Sequence, residues 1–203
     1  LHVRSRRQRQ MCIRDRRKQL ILASASPRRK ELMQDSGLPF QIIPSKKEEI
    51  VPLHLPAAQA IEQLALQKAS DIFTQHPGAV VIGCDTMVIW KEERLGKPKD
   101  QADALRMLKM LSNQTHEVIT GVALLSKTHT ILFHETTKVT FYDLEEELLT
   151  AYVASDEPYD KAGAYGIQGM GKLLVKSIEG DYFNVVGLPI SRVYRELLPL
   201  LHE

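Results

Sequence analysis

From Gln19 onward, short apolar runs alternate with amphipathic stretches of helical period, the pattern of an α/β chain. Leu20, Ile21 and Leu22 predict a first buried strand. Ser26 is placed to cap a helix with Pro27 at its first position and Gly37 as its stop. Residues 40–43 read as a second strand. A helix over residues 56–76 carries Ile61, Leu64, Ala65, Ala69 and Ile72 on one stripe. Residues 79–84 form a continuous apolar strand that runs into Asp85 and Thr86 and continues as strand over 87–90. Residues 91–94 are a polar turn, Gly96, Lys97 and Pro98 a tight loop, and Asp100 caps a helix carrying Leu105, Leu108 and Leu111. Residues 118–125 and 130–140, joined by a short polar turn, predict a long β-hairpin able to bridge two lobes. A helix with an acidic first turn spans 144–154, a glycine-rich loop covers 155–169, residues 173–178 are a last strand, and a helix closes the chain to about Leu201. No repeat or low-complexity segment interrupts this order.

Composition narrows the class. The chain has 203 residues, 43% of them hydrophobic, enough for one sizeable domain or two closely packed lobes. No run of eighteen apolar residues and no apolar segment behind the basic start is present, so a cytoplasmic protein with no membrane partner is expected. Cys12 and Cys84 are the only cysteines and make neither a disulfide framework nor a zinc cluster.

The net charge of +2 conceals two regions, because residues 1–19 hold eight of the 27 Lys and Arg and one of the 25 acids. The rest of the chain is acidic, which argues against a nucleic-acid-binding body. Residues 1–18 lack apolar periodicity and are expected to be a disordered basic tail. Met11 to Arg16 resembles a translated sequencing adapter, so the tail reads as non-native and residues 19–203 as the functional domain.

Three stretches carry candidate chemistry. Ser24, Ser26, Arg28 and Arg29 gather at one helix N-terminus, where free N–H groups, the dipole and two guanidinium forks suit phosphate oxygens. A capped helix with a solvated basic first turn is the competing reading. Lys68 falls on the apolar stripe, seven residues after Ile61, and must either snorkel or reach an anion in a cleft. Asp85 follows a buried strand, and strand carboxyl ends are where ligands bind in α/β sheets. In the loop, glycines at 163, 166 and 169 are interleaved with acidic, basic and amide groups. Such a loop either satisfies itself internally or carries function. Histidines 54, 76, 116, 129 and 134 show no metal-ligand spacing, and His116 reads as a hairpin residue.

Taken in order, Ser24-Ala25-Ser26-Pro27-Arg28-Arg29, Asp85-Thr86, Gly96-Lys97-Pro98 and the 157–169 loop resemble the Maf family of nucleoside triphosphate pyrophosphatases. The resemblance runs from Gln19 to Leu201. It implies an elongated mixed α/β sheet with two lobes around a central cleft, similar to the inosine triphosphate pyrophosphatases. The implied reaction cleaves a nucleoside triphosphate between its α and β phosphates to give a nucleoside monophosphate and pyrophosphate. Substrate phosphates would meet Ser24, Ser26, Arg28, Arg29, Lys68 and Lys97. A divalent cation, Mg²⁺ or Mn²⁺, would be held by Asp85 and Glu49, with Asp85 as general base or as orienter of the attacking water. Glu49 by itself reads as a solvated charge in Lys46-Lys47-Glu48-Glu49, and only the resemblance raises it. The likeness is nearest to the branch acting on dTTP and UTP, whose specificity positions correspond to Arg28, Thr86 and Gln168. Cys84, and Lys46 with Lys47, depart from the residues common in the family. Because family members are also linked to septum formation and cell-division arrest, a nucleotide-binding regulatory module is the alternative, and a homodimer is compatible with either.

Overall fold

The computed structural model describes residues 18–202. The expected basic tail, Lys18 excepted, and Cys12 lie outside the described residues. Along the chain run β1 (Leu20–Leu22), α1 (Pro27–Asp35), β2 (Gln41–Ile42), α2 (Ala57–Gln75), β3 (Val80–Trp90), β4 (Glu93–Leu95) and α3 (Gln101–Leu111). Then come β5 (Thr115–Leu125), β6 (Thr130–Phe141), α4 (Glu146–Val153), three 3₁₀ turns, β7 (Val175–Glu179), α5 (Tyr182–Val186) and α6 (Ile190–His202). The strands make one seven-stranded sheet in the order β2-β1-β3-β5-β6-β7, with β4 added on β3. β1 pairs in parallel with β2 and β3, and every other pairing is antiparallel. The expected mixed α/β sheet is therefore present.

Strand alternation divides the core into two layers. On one face, Leu20, Leu22, Val80, Ile82, Val122 and Leu124 join the apolar sides of α1, α3, α4 and α6. On the other, Ile21, Val81, Ala123 and Leu125 pack against Ala65, Ala69 and Ile72 of α2. Helix α2 lies close against the sheet because β3 and β5 offer it Gly83 and Gly121. A Cβ on Gly83 would stand 2.2 Å from the Ala65 carbonyl oxygen, and one on Gly121 would stand 2.5 Å from that of Ile61. That seating brings Lys68, one turn along the helix from Ala65, over the middle of β3.

Two elements differ from expectation. The polar run 91–94 does not merely turn: Lys91 takes a positive φ of 55° and the chain returns as β4, pairing Glu93 with Trp90. Its signal is weak because only Leu95 of its three residues is buried. The 155–169 loop is not structureless either, since 3₁₀ turns at Pro158–Asp160, Ala162–Ala164 and Gly169–Leu173 organise it.

Candidate active site

β3 is a single strand of 11 residues, so Asp85 and Thr86 lie in its middle rather than at its carboxyl end. What ends there is its neighbour. β5 covers one edge of β3 from Val81 to Ile89, whereas the other edge is paired with β1 at 80–82 and with β4 at 88–90. Residues 83–87 have no strand partner on that edge. A notch is left in the sheet, and a cleft of about 810 Å³ opens from it, lined on one side by residues 23–29, Lys68, Asp85 and Thr86 and on the other by Glu157, Asp160, Lys161 and Gln168. The volume is that of an ordinary small-ligand site.

The first wall follows from local rules. Ser26 caps α1 by accepting the Arg29 N–H, and Pro27 occupies the first turn, where no N–H partner is missed. The two arginines then part company. Arg29 is buried, and its guanidinium donates to the Gly187 carbonyl at 2.8 Å, to Ser24 Oγ at 3.2 Å and to Thr86 Oγ1 at 3.0 Å. Its partners are neutral oxygens, and among the described residues no carboxylate neutralises it, so the cleft floor carries a positive charge held rigidly in place. Thr86 is in turn joined to Thr120 Oγ1 at 2.9 Å. Arg28 points across the cleft instead, with Nη1 2.8 Å from Asp160 Oδ2.

On the α2 face, Lys68 Nζ stands 2.8 Å from Asp85 Oδ1 and 3.0 Å from Glu49 Oε1. The lysine has carboxylate partners in the cleft and does not simply snorkel. Glu49, distant in sequence from β3, is brought to the same point. Two carboxylates converging on one cation fit a divalent metal, which commonly takes one or two protein carboxylates and completes its shell with phosphate oxygens and water. Among the described residues no group of three His, Cys, Asp or Glu side chains is placed to hold a metal by itself. Lys97 is exposed at the cleft rim, and its loop is tied to the second wall by the Gly163 N–H to Gly96 carbonyl bond of 3.0 Å.

The second wall is held by side chains acting on backbone. Glu157 accepts the Met170 N–H at 2.9 Å and the Gly171 N–H at 3.3 Å, and Tyr152 Oη accepts the Gly166 N–H at 3.3 Å. Lys161 donates to the Glu157 carbonyl and to Asp160 Oδ1. Partial burial works to raise the Asp160 pKa, but hydrogen bonds from Lys161 and Arg28 outweigh it and hold the carboxyl below its usual range. Behind the wall, Tyr165 Oη meets His116 Nε2 at 2.7 Å, and both rings stack edge-on with Phe141. Burial lowers the His116 pKa to about 4, so the ring is neutral, a packing residue as its place in the hairpin suggested.

All ten candidate residues thus line one cleft: Ser24, Ser26, Arg28, Arg29, Glu49, Lys68, Asp85, Thr86 and Lys97 on or near the first wall, with Gln168 opposite. Glu157, Asp160 and Lys161 join them without having been singled out. Their signal was the density of charge in an otherwise glycine-rich loop.

Fold and site together define an α/β protein built round a cleft that gathers arginine and lysine side chains beside a carboxylate pair. Residues 19–200 match the family described as Maf-like protein, and the chain belongs to that family. Proteins named dTTP/UTP pyrophosphatase from Bacillus cytotoxicus and from Bacillus anthracis are each 52% identical to it over 180 residues, 89% of this chain and 94% of theirs. Among solved structures, the Staphylococcus aureus Ham1 protein is similar over 76% of this chain and 78% of its own, at TM-score 0.47 and 14% identity. Nothing about activity follows from a likeness of that size.

Proposed function

We propose that this protein hydrolyses nucleoside triphosphates between the α and β phosphates, with dTTP and UTP as preferred substrates. The observation that carries the proposal is the convergence of Asp85, Glu49 and Lys68 beside the buried Arg29 cradle. Its support from outside the site is the 52% identity to proteins named dTTP/UTP pyrophosphatase.

The triphosphate lies over the N-terminus of α1, where Ser24, Ser26 and Arg29 face its oxygens and Arg28 exchanges Asp160 for phosphate. Asp85 Oδ2 makes no hydrogen bond within the described protein and is left to receive the proton of the attacking water. The water oxygen bonds to the α phosphorus, the bond from that phosphorus to the bridging oxygen breaks, and pyrophosphate leaves with the electron pair. Lys97 at the rim and Lys68 on the cleft floor offset charge on the departing group. A divalent cation held by Glu49 and Asp85 would supply further charge neutralisation at the phosphates. Gln168 has both a donor and an acceptor and faces the 4-oxo and N3–H edge of uracil or thymine.

The test is pyrophosphate release with Mg²⁺ or Mn²⁺ from UTP, dTTP and CTP. Cytosine swaps the acceptor and donor at that edge, so CTP is expected to be cleaved at least about tenfold less efficiently than UTP. Recovery of intact dTTP after binding would make the protein a nucleotide-binding module instead. Equal cleavage of CTP and UTP would remove the base-edge reading and leave the pyrophosphatase standing.

A further inference from the structure

A carboxylate lining a cleft that takes phosphate and a cation would ordinarily be assigned to the metal or to the attacking water. Glu157 lines this cleft, yet both its oxygens are spent elsewhere. Oε1 accepts the Met170 N–H at 2.9 Å, while Oε2 accepts that of Met170 at 3.1 Å and that of Gly171 at 3.3 Å. These are N–H groups of the 3₁₀ turn Gly169–Leu173, whose capping position is Gln168. Gly169 must be glycine for this contact: its φ is +60°, and a Cβ there would stand 2.6 Å from Glu157 Oε1. On the other side of Gln168, the Gly166 N–H is fixed to Tyr152 Oη. The backbone is thereby pinned on both flanks of Gln168, while the Gln168 amide itself has no hydrogen-bond partner among the described residues.

We propose that Glu157 is a positioning residue: it holds the 3₁₀ turn so that the Gln168 amide is aimed at the base, and it takes no part in binding metal or activating water. This rests on the reading of Gln168 as the base-edge contact. A preorganised amide discriminates because it cannot swing to suit the wrong edge, so loosening its backbone costs selectivity before it costs chemistry.

The experiment is a double-mutant cycle read as the ratio of kcat/KM for UTP over CTP, on the wild type, Glu157→Gln, Gln168→Ala and the double variant. In Glu157→Gln the side-chain size is kept, but one acceptor oxygen becomes an NH₂ facing a backbone N–H. The ratio is expected to fall roughly tenfold, mainly through a raised KM for UTP, and to fall no further when Gln168 is already alanine. Gly169→Ala, which pushes against the carboxylate without removing it, is expected to lower the ratio in the same way, and it serves if Glu157→Gln fails to fold. Mn²⁺ binding to the free protein, followed by electron paramagnetic resonance, should be unchanged in Glu157→Gln. Weakened Mn²⁺ binding, or an equal loss of kcat on both nucleotides, would overturn the proposal and place Glu157 at the metal. A full Glu157 effect persisting in the Gln168→Ala background would overturn the link between the two. If Gln168→Ala alone leaves the ratio intact, the base-edge reading fails first.

Discussion

The two walls of the cleft are built on different principles. The first wall is made of regular elements, and its main cation is locked: Arg29 is buried and tied to Ser24, Thr86 and Gly187. The second wall, residues 155–171, is a chain of 3₁₀ turns held by Glu157, Tyr152 and Lys161 reaching for backbone. Adjacent arginines report the contrast, since Arg28 leaves the first wall to pair with the second through Asp160, whose side chain is about half exposed. A rigid wall suits a group such as phosphate, whose geometry is fixed, and a wall hung from side chains can be retuned to a base without disturbing it.

Asp85→Asn strikes the first wall hardest. It keeps the size of the side chain and removes the proton acceptor, so pyrophosphate release is expected to fall roughly a hundredfold or more while dTTP still binds. Near-normal turnover would move the base elsewhere, with Glu49 the first candidate.

Arg29→Met tests whether that wall is structural as well as functional. The substitution leaves the Gly187 carbonyl and two hydroxyls without their donor, and a loss on the order of 2–4 kcal/mol is expected, a drop in Tm of about 10 °C. An unchanged Tm would mean that Arg29 contributes charge alone.

The second wall has a pH weakness in His116. Its pKa is lowered by burial from 6.5 to about 4, so the unfolded chain takes up the proton first as pH falls. The contribution is fully present above about pH 6.5 and is lost on the way down to pH 4, on the order of 3 kcal/mol in total. Denaturant midpoints of the wild type and His116→Gln, measured across that range, should converge toward acid. Parallel curves would refute it.

Arg28→Ala has the smallest expected effect on the fold. Its ion pair is partly exposed, so stability should change by less than about 1 kcal/mol, whereas KM for dTTP should rise roughly tenfold through the lost phosphate contact. A stability loss as large as that of Arg29→Met would erase the distinction between the walls.

How much of this was readable beforehand follows the same division. The first strand, the Ser26 cap, the α2 stripe and the long hairpin were legible because period and capping chemistry are local. The fates of Arg28 and Arg29 were not, because Asp160 and Gly187 lie 132 and 158 residues further along. β4 resembles a polar turn in sequence, since only the last of its three residues is buried. The break in hydrophobicity at Asp85-Thr86 looks like a strand end in the sequence. In the fold that break falls in the stretch of β3 left unpaired between β1 and β4, within a strand that continues. Glu157 carried no signal of its own, being one acid among several in a loop.

The notch beside residues 83–87 has a further consequence, for how such a protein can change. Successive residues of a strand face opposite layers, so Asp85 lies against α2 with Lys68, and Thr86 lies in the other layer with Arg29 and Thr120. Only where the strand edge is open can both reach one ligand. The two layers have separate cores, and substitutions in either can accumulate without repacking the other. Inheritance can therefore adjust the acid pair and the cationic cradle independently, one layer at a time.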